Sequence, residues 1–242
     1  MRRASLTLMH VDLPMDRHWL RSALLSQVPG LTHGFSTRLR AAPGHEPDLP
    51  EPALGVEQVH QARILVPGDD PQGTGGAGCD GLATAERGLA LAVRTADCVP
   101  LLLADREGRA AAALHAGWRG TLEGIAAAGV RLLESRFGVP PGCVLAALGP
   151  AIGACCFEVG VDVAQRFAGR FGQGVVLRDR GPRPHVDLLE ANRRVLQEQG
   201  VSPEAIEALH RCTVCRDDLF PSFRREGESA GRLWSFVCLA PS

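Results

Sequence analysis

At 242 residues the chain is long enough to bury a substantial core, in one large domain or two small ones. Its formal net charge of −1 gives no electrostatic reason to expect nucleic acid or an anionic membrane as a partner. The sequence has no Tyr, and every basic side chain other than His is Arg, so Lys and Tyr drop out as acids, bases and Schiff-base formers.

Eight cysteines, spread along the chain, fit a reducing compartment better than a disulfide framework, and the adjacent Cys155 and Cys156 are poorly placed to join each other. The opening MRRASLTLMHVDL carries two arginines, but His10 and Asp12 interrupt its apolar run, so it reads as a poor signal peptide. The most apolar stretch, 89–104, is broken by Arg94 and Asp97 and is too short to span a bilayer. A cytoplasmic protein is expected.

Residues 1–50 are rich in Pro, Gly and Arg, with one strand expected over LTHGFST. VEQVHQARILV alternates well enough to be a half-buried strand. GDDPQGTGGAGCDG, 68–81, reads as a loop, because Gly and Asp accept the positive φ values that other residues resist. LALAVRTADC and RAAAALHA read as short buried strands with a turn over 105–108. A helix is expected over 120–137, with Leu122, Ile125, Val130, Leu132 and Leu133 on its apolar side and Gly138 as its stop. CVLAALGP is a further buried strand, and VDVAQRFAGRF and DLLEANRRVLQEQG are amphipathic helices. The second of these has Asp187 as N-cap, Glu190 three residues on, and its end at Gly200. SPEAIEAL is expected to be another helix, with Pro203 in its first turn, and WSFVCLA closes the chain as a strand. No repeat or linker divides these elements. The expectation is one α+β domain over 1–242, with a less regular segment over 1–50.

Three residues carry the strongest chemical signal: His60 in GVEQVHQA, Cys98 in RTADCVP and His115 in ALHAGWRG. Two imidazoles and a thiolate make a zinc site that leaves one position for water or substrate. A single His beside an apolar run is usually a hydrogen-bonded core residue, and a single Cys is usually an inert small hydrophobe. Their joint occurrence at expected strand ends shifts the balance toward a metal site.

HAGWRG leads into a helix, whose first N–H groups could bind phosphate or carboxylate while Arg119 adds a bidentate contact. The plainer reading makes Trp118 a packing residue and Arg119 a solvated one. Arg38 in HGFSTR and Arg224 and Arg225 in PSFRRE could close over the same anion, although local sequence alone favours a solvated surface for them. CTVC, 212–215, has C-x-x-C spacing but lacks a second pair at finger-like distance, and is assigned no function. The glycine loop is neither a Walker A motif nor a dinucleotide fingerprint, and no GxSxG elbow occurs.

The ordered series HGFSTR, EQVH, CDGLAT, TADCVPLLLAD, ALHAGWRGTLEGI, LGPAIGACCFEVG, VDLLEANRRVL, CT and SFRREGESAGR covers most of the chain. It resembles the YfiH-like or laccase-domain family, whose members are also called polyphenol oxidases, peptidoglycan editing factors and multifunctional purine nucleoside phosphorylases. The chain departs from that pattern in three places. The GG turn after STR and the longer segment before QVH are missing, QVHG is QVHQ, and SYRR is SFRR.

The resemblance implies zinc held by His60, Cys98 and His115, and a layered α+β fold with mixed sheets covered by helices, like that of the cytotoxic necrotizing factor toxins. It implies phosphorolysis of adenosine, inosine, guanosine or methylthioadenosine to free base and ribose 1-phosphate, with adenosine deamination as a further activity. Cys98, His115 and Arg119 would then be catalytic, and Arg38, Arg119, Arg224 and Arg225 would bind substrate or phosphate. The partners expected are nucleoside and phosphate, without nucleic acid or membrane, and the chain is expected to be a monomer or weak homo-oligomer. Copper can occupy the same ligands. A multicopper oxidase, however, needs many imidazoles, and this chain has eight, with no H-x-H pair. Two alternatives stand beside the phosphorylase: an editing hydrolase of peptidoglycan precursors with Cys98 as nucleophile and His115 as base, and a non-catalytic metal-binding module.

Overall fold

A computed structural model describes residues 15–16, 18–38, 49–69 and 78–241. The opening segment over 1–14, the shortened stretch over 39–48 and the centre of the expected glycine loop, 70–77, lie outside the described residues.

Two six-stranded mixed sheets organise the chain. The first runs in the order β1 (Met15–Asp16), β2 (Trp19–Leu20), β3 (Leu31–Ser36), β14 (Leu233–Leu239), β7 (Ala90–Thr95) and β4 (Ala53–Leu54). The second runs β13 (Ile206–Ala208), β10 (Val144–Leu148), β8 (Val99–Asp105), β9 (Ala111–Ala116), β6 (Gly81–Thr84) and β5 (Ile64–Leu65). A short ribbon pairs β11 (Val176–Leu177) with β12 (His185–Val186).

The sheets pack face to face through β7 and β14 on one side and β8 and β9 on the other. Helices α1 (Trp118–Glu123), α2 (Ile125–Phe137) and α4 (Leu188–Glu198) cover the second sheet, and α3 (Val161–Phe171) packs beside them. This burial on both faces explains the unbroken apolar sequence of β8 and β9, every residue of which is buried. The expected α+β class holds, with mixed sheets packed against helices.

The strands over LTHGFST, CVLAALGP and WSFVCLA form where the patterns place them, as do the helices α3 and α4. The Asp187 carboxylate accepts the Glu190 N–H at 2.9 Å, as an N-cap should. LALAVRTADC and RAAAALHA form the expected strands β7 and β9, but a further strand, β8, begins immediately after Cys98, and the turn over 105–108 joins it to β9. Three expectations need correction. VEQVHQARILV is mostly irregular: His60 has φ 64, which a strand cannot accommodate, and only Ile64–Leu65 is extended in a sheet. The helix over 120–137 is two helices, since Gly124 at φ 84 ends α1 and starts α2. SPEAIEAL forms only a 3₁₀ turn at Pro203–Ala205 before β13, which pairs in parallel with β10 and so takes the edge of the sheet.

The crossing from β7 to β8 carries the chain from the first sheet to the second over 96–98, and Asp97 makes that turn at φ 83. The sharp reversal places Cys98 at the top of β8, where Val99 pairs with Ala116 and Pro100 with His115. Among the described residues, no helix is long and apolar enough to cross a membrane.

Packing where the sheets meet is close. A Cβ at Gly149 would lie 2.2 Å from Phe35 Cδ1 and 2.8 Å from Pro100 Cγ. Gly149→Ala is therefore expected to destabilise the protein by about 2 kcal/mol through overpacking. Gly142→Ala, where an added Cβ meets nothing within 4 Å, should change stability by less than about 0.5 kcal/mol. Urea denaturation of the two variants checks the contrast.

Candidate metal and substrate site

Asp80, fully buried, organises the site. Its carboxylate accepts the backbone N–H of Val59 at 3.1 Å and those of His60 and Gln61 at 2.8 Å each, and meets His115 Nδ1 at 2.7 Å. The Asp80 carbonyl also accepts the His115 N–H at 2.7 Å. Three donors that a strand would give to its ladder are thus aimed at one carboxylate, which is why the QVH segment is looped and His60 takes its left-handed φ.

With Nδ1 committed to Asp80, the His115 ring stands in one cluster with Cys98. His60 stands edge-on to His115, with ring centroids 4.8 Å apart. The ligand atoms of His60, Cys98 and His115 all lie within 4.8 Å of one another, so the structure brings together the three residues expected from sequence. Gly117 backs this cluster. A Cβ there would stand 2.9 Å from His60 Cδ2 and 3.1 Å from Cys98 Sγ. The cluster fits a metal: one thiolate, two imidazoles, a carboxylate orienting one imidazole from behind, and a backbone kept bare beside them.

The electrostatics agree. Burial opposes ionisation of Cys98, but hydrogen bonds and charge from His115 and His60 outweigh it and bring the thiol down to about 7. Burial also works against a charged His115, yet Asp80 and Cys98 lift it to about 9. Asp80 itself is held below the usual carboxylate range: desolvation is overcome by the His115 hydrogen bond and by the N–H donors of Gln61 and His60. The two groups thus favour each other's charged forms, the thiolate on Cys98 and the imidazolium on His115.

The cluster opens into a cleft of about 700 Å³. Its walls include Arg94, Arg119, Arg224 and Arg232, the aromatic rings of Trp118, Phe157 and Phe223, and the carboxylate of Glu57. A neighbouring cavity of about 620 Å³ shares Glu57, Gln58 and Arg94 as a common wall. The Arg119 guanidinium lies over Trp118, 4.4 Å from the ring centroid, and makes no hydrogen bond among the described residues. Arg224 donates to the carbonyls of Cys156 and Glu158 while still facing the cleft.

Arg38 and Arg225, grouped with these by sequence, do not line it. Arg38 donates to the carbonyls of Asp217 and Phe220 and pairs with Glu226. Arg225 donates to the carbonyls of Thr213, Val214 and Phe220 and to Glu226. Both guanidinium groups are occupied in holding the loop over 213–226. Helix α1 begins inside HAGWRG, at Trp118, and is six residues long, with Trp118 and Arg119 of its first turn lining the cleft.

Two residues escaped the sequence reading. Asp80 is the acidic residue of CDGLAT, and its only sequence signal was a carboxylate beside a glycine-rich loop. Asp97, buried, accepts Thr213 Oγ1 at 2.5 Å, Ser222 Oγ at 3.0 Å and the Arg224 N–H at 2.7 Å, so it fastens the short helix α5 (Phe223–Glu226) to the cleft wall.

The sequence profile of the family described as "Multi-copper polyphenol oxidoreductase laccase" matches residues 37–240. The chain belongs to this YfiH-like laccase-domain family. It is 39% identical over 186 residues to a protein of Deinococcus radiodurans named purine nucleoside phosphorylase, covering 76% of this chain and 69% of that one. It is 37% identical over 190 residues to adenosine deaminase RL5 from an unknown prokaryotic organism, covering 74% and 72%. It is also 35% identical over 164 residues to human purine nucleoside phosphorylase LACC1, covering 66% of this chain but only 38% of the human protein. Among solved structures it is similar to YlmD from Geobacillus stearothermophilus, with a TM-score of 0.81, 30% identity and coverage of 94% and 98%.

In protein dialysed against a chelator, alkylation of Cys98 should rise with pH around a midpoint of about 7. Asp80→Asn weakens the hold of His115 on its proton, removes the cation beside the thiolate, and should move that midpoint upward. Mass-spectrometric quantification of the Cys98 peptide across a pH series reads both.

Proposed function

We propose that this protein is a zinc-dependent purine nucleoside phosphorylase that also deaminates adenosine in the same cleft. One observation carries the reading: the His60–Cys98–His115 cluster opens into a cleft that presents arginines and aromatic rings side by side. A nucleoside and phosphate need such a combination, flat apolar faces for the base and fixed cations for the oxyanion. Relatives carrying both enzyme names support it.

His60, Cys98 and His115 would hold the zinc, which supplies Lewis acidity when bound. Asp80 fixes the His115 ring so that its free nitrogen faces the ligand position. Trp118, Phe157 and Phe223 offer faces to the purine. Arg119 and Arg224 bind phosphate and place an oxygen in line with the ribose C1′. In phosphorolysis that oxygen bonds to C1′ as the bond to the base breaks, and the departing base takes a proton on its ring nitrogen. In deamination water adds at C6 and ammonia leaves. Glu57, exposed in the cleft wall, is the carboxylate placed to carry protons in either reaction. Arg38 and Arg225 position the wall that bears Arg224.

The donor set favours zinc over a multicopper oxidase centre. Among the described residues the candidate metal-binding groups are this one and a set of four cysteines, and neither is rich in imidazole. The depressed Cys98 thiol beside His115 and Asp80 also favours a second reading, a thiol hydrolase of peptidoglycan precursors with Cys98 as nucleophile. Metal bound through Cys98 occupies the thiolate and separates the two.

Chromatography of adenosine and inosine incubated with and without phosphate, beside metal analysis of the same preparation, tests the proposal. Cys98→Ala should abolish zinc binding at this cluster and both reactions; full phosphorolysis by that variant would sink the reading. Asp80→Asn should weaken zinc binding by ~10- to 100-fold, measured by competition with a chromophoric chelator. Arg119→Ala removes one charge-assisted contact of about 1.5–3 kcal/mol and should raise the KM for phosphate by roughly tenfold or more.

A further inference from the structure

The C-x-x-C of CTVC, given no function on sequence, meets the adjacent pair Cys155 and Cys156 in the fold. Ala151 and Cys212 form a parallel bridge that aligns the two segments. The Cys156 and Phe157 N–H groups both donate to the Gly153 carbonyl, which coils the first segment into a turn. Neighbouring side chains diverge less in such a turn than in a strand, so Cys155 and Cys156 face the same point. All four Sγ atoms lie within 4.8 Å of one another, with Cys215 Sγ 3.6 Å from Cys155 Sγ and 3.4 Å from Cys156 Sγ.

We propose that Cys155, Cys156, Cys212 and Cys215 form a second metal site, a closed tetrahedral zinc site with a structural role. Four sulfurs at ~2.3 Å from one zinc stand ~3.8 Å apart, which matches this cluster. An iron–sulfur cluster places several irons and sulfides between its cysteines and needs more room. The surroundings are built for a bound thiolate. The Gly153 N–H donates to Cys212 Sγ at 3.3 Å. A Cβ on Gly153 would stand 3.1 Å from Cys155 Sγ and 3.3 Å from Cys212 Cβ, so a bare backbone is required there too. Four thiols filling four positions leave none for substrate, which makes the site structural rather than catalytic.

Its place in the fold gives it a task. Thr213, between the cysteines of CTVC, donates to Asp97, and Arg225 donates to the Thr213 and Val214 carbonyls. Arg224 donates to the Cys156 carbonyl, and Phe157 follows directly in the cleft wall. One ion binding both segments therefore fixes the wall that carries Phe157 and Arg224.

Metal analysis of the whole protein purified under reducing conditions tests this, with a variant for each cluster. Cys98→Ala should retain a single zinc ion, and cobalt exchanged into it should give intense thiolate-to-cobalt charge-transfer bands of a tetrahedral site. Cys212→Ser/Cys215→Ser should lose that ion and unfold at a lower temperature. In the wild type, all four cysteines should resist alkylation until zinc is withdrawn, a readout that does not depend on any variant folding. A metal-free Cys98→Ala, iron in place of zinc, or a disulfide among the four would overturn the proposal. The one ion that Cys98→Ala lacks relative to the wild type reports on the cleft and the ion it keeps reports on the cysteine cluster, so either assignment can fail alone.

Discussion

A single buried carboxylate holds the cleft in shape. Asp80 is removed from water at a cost that would be prohibitive for an unpaired charge, and is compensated by three backbone N–H donors and one imidazole. Those partners are the segment that carries His60 and the strand that carries His115. The carboxylate therefore fixes the relative position of two of the three metal-ligand candidates, and the strained backbone at His60 is held by bonds that no alternative conformation would make.

Asp97 plays the corresponding part on the other wall. The chain reverses there between the two sheets, and the carboxylate collects Thr213, Ser222 and the Arg224 N–H. Cys98 is thereby set between a ladder on one side, through Val99 and Ala116, and a fastened loop on the other. The two aspartates divide the work: one orients the ligand residues, the other orients the arginine-bearing wall. Asp80 acts largely through backbone N–H groups and Asp97 through two hydroxyls and one N–H, so neither stands out in the sequence beside an oppositely charged partner.

The residues expected to bind metal were legible because their local sequences are unusual and their chemistry is restrictive. The main strands were legible because burial on both faces demands uninterrupted apolar runs, as in VLAAL of β10. What sequence concealed were choices made by tertiary contacts. Alternation in VEQVHQARILV promised a strand, but Asp80 claimed its donors. SPEAIEAL has helical periodicity, yet an open sheet edge at β10 took it as a strand. Gly124 falls inside the helix expected over 120–137, although its positive φ separates two helices. Arg38 and Arg225 looked like anion ligands by motif, and only the fold reveals that carbonyls and Glu226 consume their donors. CTVC lacked a partner within the spacing of known fingers, because its partner is an adjacent pair on a distant turn.

The Asp80 hub carries a thermodynamic consequence. Cys98 and His115 sit at facing ends of β8 and β9, while His60 reaches them from a separate segment held by Asp80. Neither the hairpin nor that segment completes the cluster alone, so the cluster exists only once the two have joined. A ligand that needs all three binds the joined state alone, and raises its stability by RT ln(1 + [L]/Kd). Occupancy of the cleft and integrity of that corner of the fold are then the same equilibrium seen from two ends.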